Sequence, residues 1–149
     1  MYNEYMNIAI NEAKKALGKG EIPVGAIIVK NKKIISRAHN TRENMQNVLA
    51  HAEISAIDKA CKALGNWRLD GCDLYVTLEP CPMCCGAILQ SRIKNVYFGA
   101  YSTETGCMGT AINLPKLLKN NVLTVYGGIM EDECKKLLTD FEYTSKLIY

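Results

Sequence analysis

Residues 74–84 read LYVTLEPCPMC, and this stretch decides the fold. Residues 73–78 have the apolar, β-branched and aromatic composition of a buried strand. Pro80 ends that strand, and Pro82 suits the opening turn of a helix predicted from 81 or 82 to about 91, where a missing N–H costs nothing. A strand running into a helix, with Cys81 and Cys84 at the junction, is a unit of layered α/β architecture.

Working outward, Ile54, Ala56, Ile57, Ala60, Cys61 and Leu64 return at helical spacing, so a helix is predicted over 51–64 with Gly65 beyond its end. Residues 2–17 repeat the pattern through Tyr2, Met6, Ala9, Ile10, Ala13 and Leu17, and Gly18 and Gly20 stop it. Strands over 24–30 and 34–38 form a hairpin across Asn31 and Lys32. Residues 40–50 are polar and irregular, hence a loop. Later come a strand over 95–100, a glycine-bearing loop over 101–110, a short helix over 114–118, a strand over 122–126 and a helix from 131 to about 146. This alternation predicts an α/β fold with five strands in a mixed sheet and helices on both faces.

The chain has 149 residues, 48% of them hydrophobic and 22% charged, with net charge +3, so one domain over 1–149 is expected. A core of that size needs no metal staple. No apolar run reaches the roughly 18 residues of a membrane span, and the hydrophobic content excludes general disorder. Residues 1–11 lack a basic stretch followed by an apolar block, which makes a cytoplasmic location the expectation. The seven cysteines are odd in number, and Cys81, Cys84 and Cys85 crowd together, which favours metal or catalytic use over disulfides. Cys61, Cys72, Cys107 and Cys134 read mostly as small buried hydrophobes. Residues 30–42 hold five bases and no acid, a balance of +5: either a phosphate-facing patch or a solvated hairpin tip.

His51, Ala52 and Glu53 form H-x-E, and residues 80–84 form P-C-x-x-C. One nitrogen from His51 and two sulfurs from Cys81 and Cys84 suit zinc, and three protein ligands leave the fourth position open, as in a catalytic site. Glu53, two residues from a ligand, is then available to move protons. Cys-x-x-Cys after a strand also suits a redox pair, but that leaves His51 and Glu53 without a role. A closed structural zinc needs a fourth ligand such as His39 or Cys85, and Cys85 points about 100° away from Cys84 on a helix. A non-catalytic zinc-binding interaction module is a third alternative.

H-x-E…P-C-x-x-C is the known signature of zinc nucleobase deaminases. Together with EIPVG (21–25), HNTR (39–42), HAEI (51–54), WRL (67–69), SRI (91–93) and Gly99-Ala100, it makes most of the chain resemble the bacterial tRNA-specific adenosine deaminases of the cytidine/deoxycytidylate deaminase superfamily. The resemblance implies a three-layer α/β/α cytidine deaminase-like fold, a homodimer, one catalytic zinc per subunit, and hydrolysis of the wobble adenosine of an arginine tRNA to inosine. It further implies that the adenine leaves the anticodon-loop stack for a pocket beside the metal. There Glu53 passes a proton from water to N1 and later protonates the departing amine.

Asn40 matches the family's substrate-binding asparagine, and a loop-capping role is the alternative. Asn113 and Ala52 are further substrate-binding candidates, while Ile22, Pro23 and Val24 read as base-pocket wall or core. The same zinc chemistry on a free nucleobase, nucleoside or nucleotide of guanine or cytosine type is the alternative function. Three stretches depart from the family pattern. Residues 47–50 read NVLA where D-P-T-A is common, and Glu104 stands where the family's D-x-K-T-G places a lysine. Residues 131–149 carry five acids and three lysines in place of a basic tail, which weakens phosphate attraction there.

Overall fold

Helix α1 (Tyr2–Gly18) buries Met6, Ala9, Ile10 and Ala13, the stripe expected from their spacing. The computed structural model of the protein describes residues 1–142. After α1 come strands β1 (Gly25–Lys30) and β2 (Lys33–His39). Asn31 and Lys32 turn between them with φ of 50° and 63°. Two left-handed residues in succession match the twist of paired strands, so the hairpin closes without the usual glycine.

The stretch 40–50, expected as loop, contains a short helix, α2 (Arg42–Met45). Its cause lies outside the segment. The buried Glu21 carboxylate accepts hydrogen bonds from the backbone N–H groups of Glu43 (2.9 Å) and Asn44 (2.8 Å), satisfying first-turn donors that local sequence leaves open.

Helix α3 (Ala52–Leu64) ends on Gly65 at φ 63°, where the left-handed cap favours glycine. Strand β3 (Cys72–Leu78) leads into α4 (Pro82–Gln90), and β4 (Asn95–Ala100) follows. Helix α5 (Leu114–Leu117), strand β5 (Thr124–Tyr126) and helix α6 (Glu131–Glu142) complete the described chain. β5 starts later than expected because the Asn120 side chain captures the N–H groups of Val122 and Leu123. The helix predicted to about 146 is seen to Glu142; its remaining residues, and the last part of the acidic 131–149 segment, lie outside the described residues.

The sheet order is β2-β1-β3-β4-β5, with β1 antiparallel to both neighbours and β3, β4 and β5 parallel. It is the mixed five-stranded sheet expected. β4 is buried at all but one position, as strands covered on both faces are. Helix α1 packs on β1, β2 and β3 and touches α6, which packs on β4; α3 packs on β1 and β2 and touches α4. α1 lies so close to β1 that a side chain at Gly25 would strike the Ala9 carbonyl and the Ala13 N–H.

The pairing separates the two ends of the sheet. Lys30 lies beside Lys33 and Cys72, at the start of β3, whereas Cys81 follows the other end of that strand. Six residues of strand put about 20 Å between these ends. The basic stretch 30–42 is therefore divided: Lys30, Lys32 and Lys33 occupy the far end, and Arg42 lies at the end of the sheet that carries Cys81.

Candidate metal centre and active site

Two helices begin at the carboxyl end of the sheet, and each opens on a residue that is a poor helix cap. His51 occupies the N-cap of α3 and Cys81 that of α4, and neither side chain caps its helix. Cys84, three residues after Cys81, falls on the same helix face. The result is a buried triangle: His51 Nδ1 is 3.7 Å from Cys81 Sγ and 3.5 Å from Cys84 Sγ. All three ligand atoms lie within 4.8 Å of one another.

These spacings fit zinc. With Zn–S near 2.3 Å and Zn–N near 2.05 Å, a tetrahedral ion separates nitrogen from sulfur by about 3.6 Å. The electrostatics fit as well. A hydrogen bond from the Cys84 thiol, working against burial, together with His51, draws the Cys81 thiol down to about 4. Cys84 moves upward, through that same hydrogen bond, its burial and the neighbouring Glu53 charge. The lowered thiol stands at a helix N-terminus, where negative charge is stabilised, so the site favours the thiolate form that a metal takes as ligand.

Glu53 lies in the first turn of α3, fully buried, with its carboxylate against Cys84 and outside the converging triangle. His39 does not join the metal cluster; its Nδ1 sits 3.3 Å from Glu12 Oε1. Cys85 turns away and its Sγ lies 3.9 Å from the Cys107 carbonyl. Neither expected candidate for a fourth protein ligand is therefore in place.

Of the residues read as substrate contacts, Asn40 is fully buried and ties the entry loop. Its Nδ2 donates to the Ile22 carbonyl (3.2 Å) and its Oδ1 accepts from Arg42 N–H (3.0 Å). Ile22 and Val24 are buried in the core cluster, Pro23 is buried between them, and Ala52 is fully buried beside His51. Asn113 is exposed and caps α5, accepting from Lys116 N–H at 3.1 Å. The WRL and SRI stretches meet: Leu69 N–H donates to the Ser91 carbonyl at 2.7 Å, and the guanidinium groups of Arg68 and Arg92 lie 5.4 and 5.7 Å from the Trp67 ring.

Sequence reasoning missed two residues, the buried carboxylates Glu21 and Glu79. Glu21 accepts from two backbone N–H groups and from the Asn44 amide at 2.7 Å, fastening the segment that leads to His51. Glu79 does the same for residues 102–110. The available signal was an acid immediately beside a core strand, a place where a charge must find partners.

Residues 1–100 match the family described as the cytidine and deoxycytidylate deaminase zinc-binding region. The chain is 54% identical over 138 residues to the tRNA-specific adenosine deaminase of Bacillus subtilis (strain 168), covering 92% of this chain and 86% of that protein. A solved structure from work on A-to-I editing by tRNA:A34 deaminases at the wobble position superposes with a TM-score of 0.83 at 38% identity, covering 91% of this chain and 99% of the other. Guanine deaminase from Bacillus subtilis matches with a TM-score of 0.64 at 43% identity, over 68% of this chain and 65% of that one. With its zinc-compatible triangle and near full-length likeness to the tRNA deaminases, the chain belongs to the cytidine and deoxycytidylate deaminase zinc-binding family, and within it to the tRNA-specific adenosine deaminases.

Proposed function

We propose that this protein hydrolyses adenosine to inosine, with release of ammonia, at the wobble position of a tRNA anticodon loop. The observation that carries the reading is the buried triangle of His51, Cys81 and Cys84 with the Glu53 carboxylate beside it but outside it. His51, Cys81 and Cys84 are the zinc ligands in this reading. Zinc bound by three protein groups supplies a water acidified to a pKa of about 7.

Glu53 handles the protons. It accepts one from the attacking water and gives it to adenine N1 so that C6 becomes electrophilic; it then takes the remaining proton from the new C6 hydroxyl and passes it to the amine, so that the C6–N bond breaks to leave C6=O and ammonia. Its burial keeps bulk water from competing for that proton. In this reading Asn40, held by Ile22 and Arg42, orients the nucleoside, and Ile22, Pro23, Val24 and Ala52 enclose the base. Asn113 serves as an outer substrate contact.

The tRNA is an arginine tRNA, the protein works in the cytoplasm as a homodimer, and residues 1–149 act as a single deaminase domain. Among the described residues no helix is long and apolar enough to cross a membrane. The exposed apolar side chains of Met45, Val48 and Leu49, just ahead of His51, support a subunit contact beside the site. Inosine measured by mass spectrometry in tRNA incubated with the purified zinc-loaded protein tests the reading. No inosine, together with deamination of free guanine or cytosine, would refute the substrate and retain the chemistry.

A further inference from the structure

Glu79 is the residue between the last position of β3 and Pro80-Cys81, and it is 1% exposed. Its own N–H donates to the Ala100 carbonyl at 2.9 Å, so its backbone belongs to the sheet. Its side chain serves the loop 102–110. Oε1 accepts from Ser102 N–H (3.1 Å) and the Thr110 hydroxyl (2.5 Å). Oε2 accepts from the N–H groups of Met108 (3.0 Å) and Thr110 (3.2 Å). A side chain at Gly106 would come 2.5 Å from the Glu79 Cδ, so glycine there lets the loop close over the carboxylate.

The loop is also attached to the metal-ligand turn. Cys107 N–H donates to the Pro80 carbonyl at 3.0 Å, and the Cys107 carbonyl faces Cys85 Sγ. Thus one charged group, two residues from Cys81, gathers donors from both ends of a loop whose other contacts grip the same turn. Hydrogen bonds to an ionised acceptor are about twice as strong as neutral ones, and four of them on one rigidly mounted group resist sliding of the loop across the site. Thr103, Glu104, Gly109 and Thr110 remain exposed on its outer side.

We propose that Glu79 is a positioning residue: it holds residues 102–110 beside the Cys81 turn as a wall of the substrate site, and thereby sets how tightly the RNA loop is held without deciding whether metal binds. This rests on the deaminase reading above. Charge alone points the other way, because removing an acid near a polyanion should tighten RNA binding. The two effects therefore predict opposite signs.

The test compares wild-type, Glu79→Gln and Thr110→Val proteins, all zinc-loaded, on an anticodon stem–loop RNA. In Glu79→Gln an amide N–H₂ faces backbone donors, so KM should rise about tenfold, the worth of one lost charge-assisted hydrogen bond, with kcat within about threefold of wild type. Zinc content should stay unchanged, and hydrogen exchange at Ser102, Met108 and Thr110 should accelerate. Thr110→Val, which loses one such hydrogen bond and leaves the carboxylate its backbone donors, should raise KM by up to about tenfold. Unchanged or lowered KM with faster loop exchange overturns the inference, as does loss of zinc. If Glu79→Gln fails to fold, the Thr110→Val KM decides. A wild type that makes no inosine refutes the deaminase reading itself, a result distinct from an active wild type whose variants keep its KM.

Discussion

His51 Nδ1 lies 3.5 Å from Cys84 Sγ, across 33 residues of sequence, because the helices carrying them both begin at the carboxyl end of the sheet. That separation is the length of one edge of a tetrahedral zinc site. The contact joins a nitrogen and a sulfur that would otherwise have little reason to be buried together.

Replacing Glu53 with alanine should separate metal binding from proton transfer. Zinc content is expected to stay at the wild-type level while the rate of inosine formation falls about a hundredfold to ten thousandfold, the usual contribution of a general acid–base group. Loss of zinc along with activity would assign Glu53 to the metal shell instead.

Cys84→Ala should lose the metal. Two of the three ligand atoms remain, too few for tight zinc binding, so zinc per chain should fall well below that of wild type in metal analysis after dialysis. The sheet and its core do not depend on the ion, so far-UV circular dichroism should be retained. A variant that keeps stoichiometric zinc contradicts the assigned ligand set.

Glu21 links stability to pH. Burial alone would raise its carboxyl, but hydrogen bonds from Asn44 and Glu43 and the Arg42 charge outweigh it and hold the group below its ordinary value of 4.5. A lowered folded-state value means that the stabilisation is present above 4.5 and is lost as pH falls through the lowered value. Glu21→Gln should therefore cost about 1.5–3 kcal/mol at neutral pH, the scale of a hydrogen bond to a charged group. In urea denaturation the difference from wild type should shrink as the pH is taken progressively below 4.5. A gap independent of pH refutes the assignment.

Glu104 is exposed on loop 102–110, where a lysine would favour a phosphate. Glu104→Lys should steepen the dependence of log affinity on log salt by about one for an anticodon stem–loop RNA. An unchanged slope would place the loop tip away from the RNA backbone.

Gly25→Ala should be among the most damaging single methyl additions. The new Cβ meets backbone atoms of Ala9 and Ala13 on α1, which cannot rotate aside, so the cost should reach or exceed the roughly 1–3 kcal/mol of ordinary overpacking. Chemical denaturation of the purified variant reads this directly.

Much of this was legible in the order of residues. Helices α1, α3 and α4 and the strands came from periodicity and from Gly65, Pro80 and Pro82, signals that act within one turn of where they stand. The metal set was legible because H-x-E and P-C-x-x-C each place their ligands by local helix geometry. Helix α2 was not, since the carboxylate that satisfies it belongs to Glu21, 22 residues upstream of Glu43.

The sequence by itself determined the alternation of helices and strands and the chemical identity of the metal ligands, because both depend on short-range spacing. Only the tertiary structure decided that Lys30, Lys32 and Lys33 lie at the end of the sheet away from Cys81. It alone also decided that Glu79 grips residues 102–110. Those outcomes depend on strand pairing and on donors brought from 23 to 31 residues away to buried carboxylate oxygens, and no local pattern encodes which distant N–H will arrive.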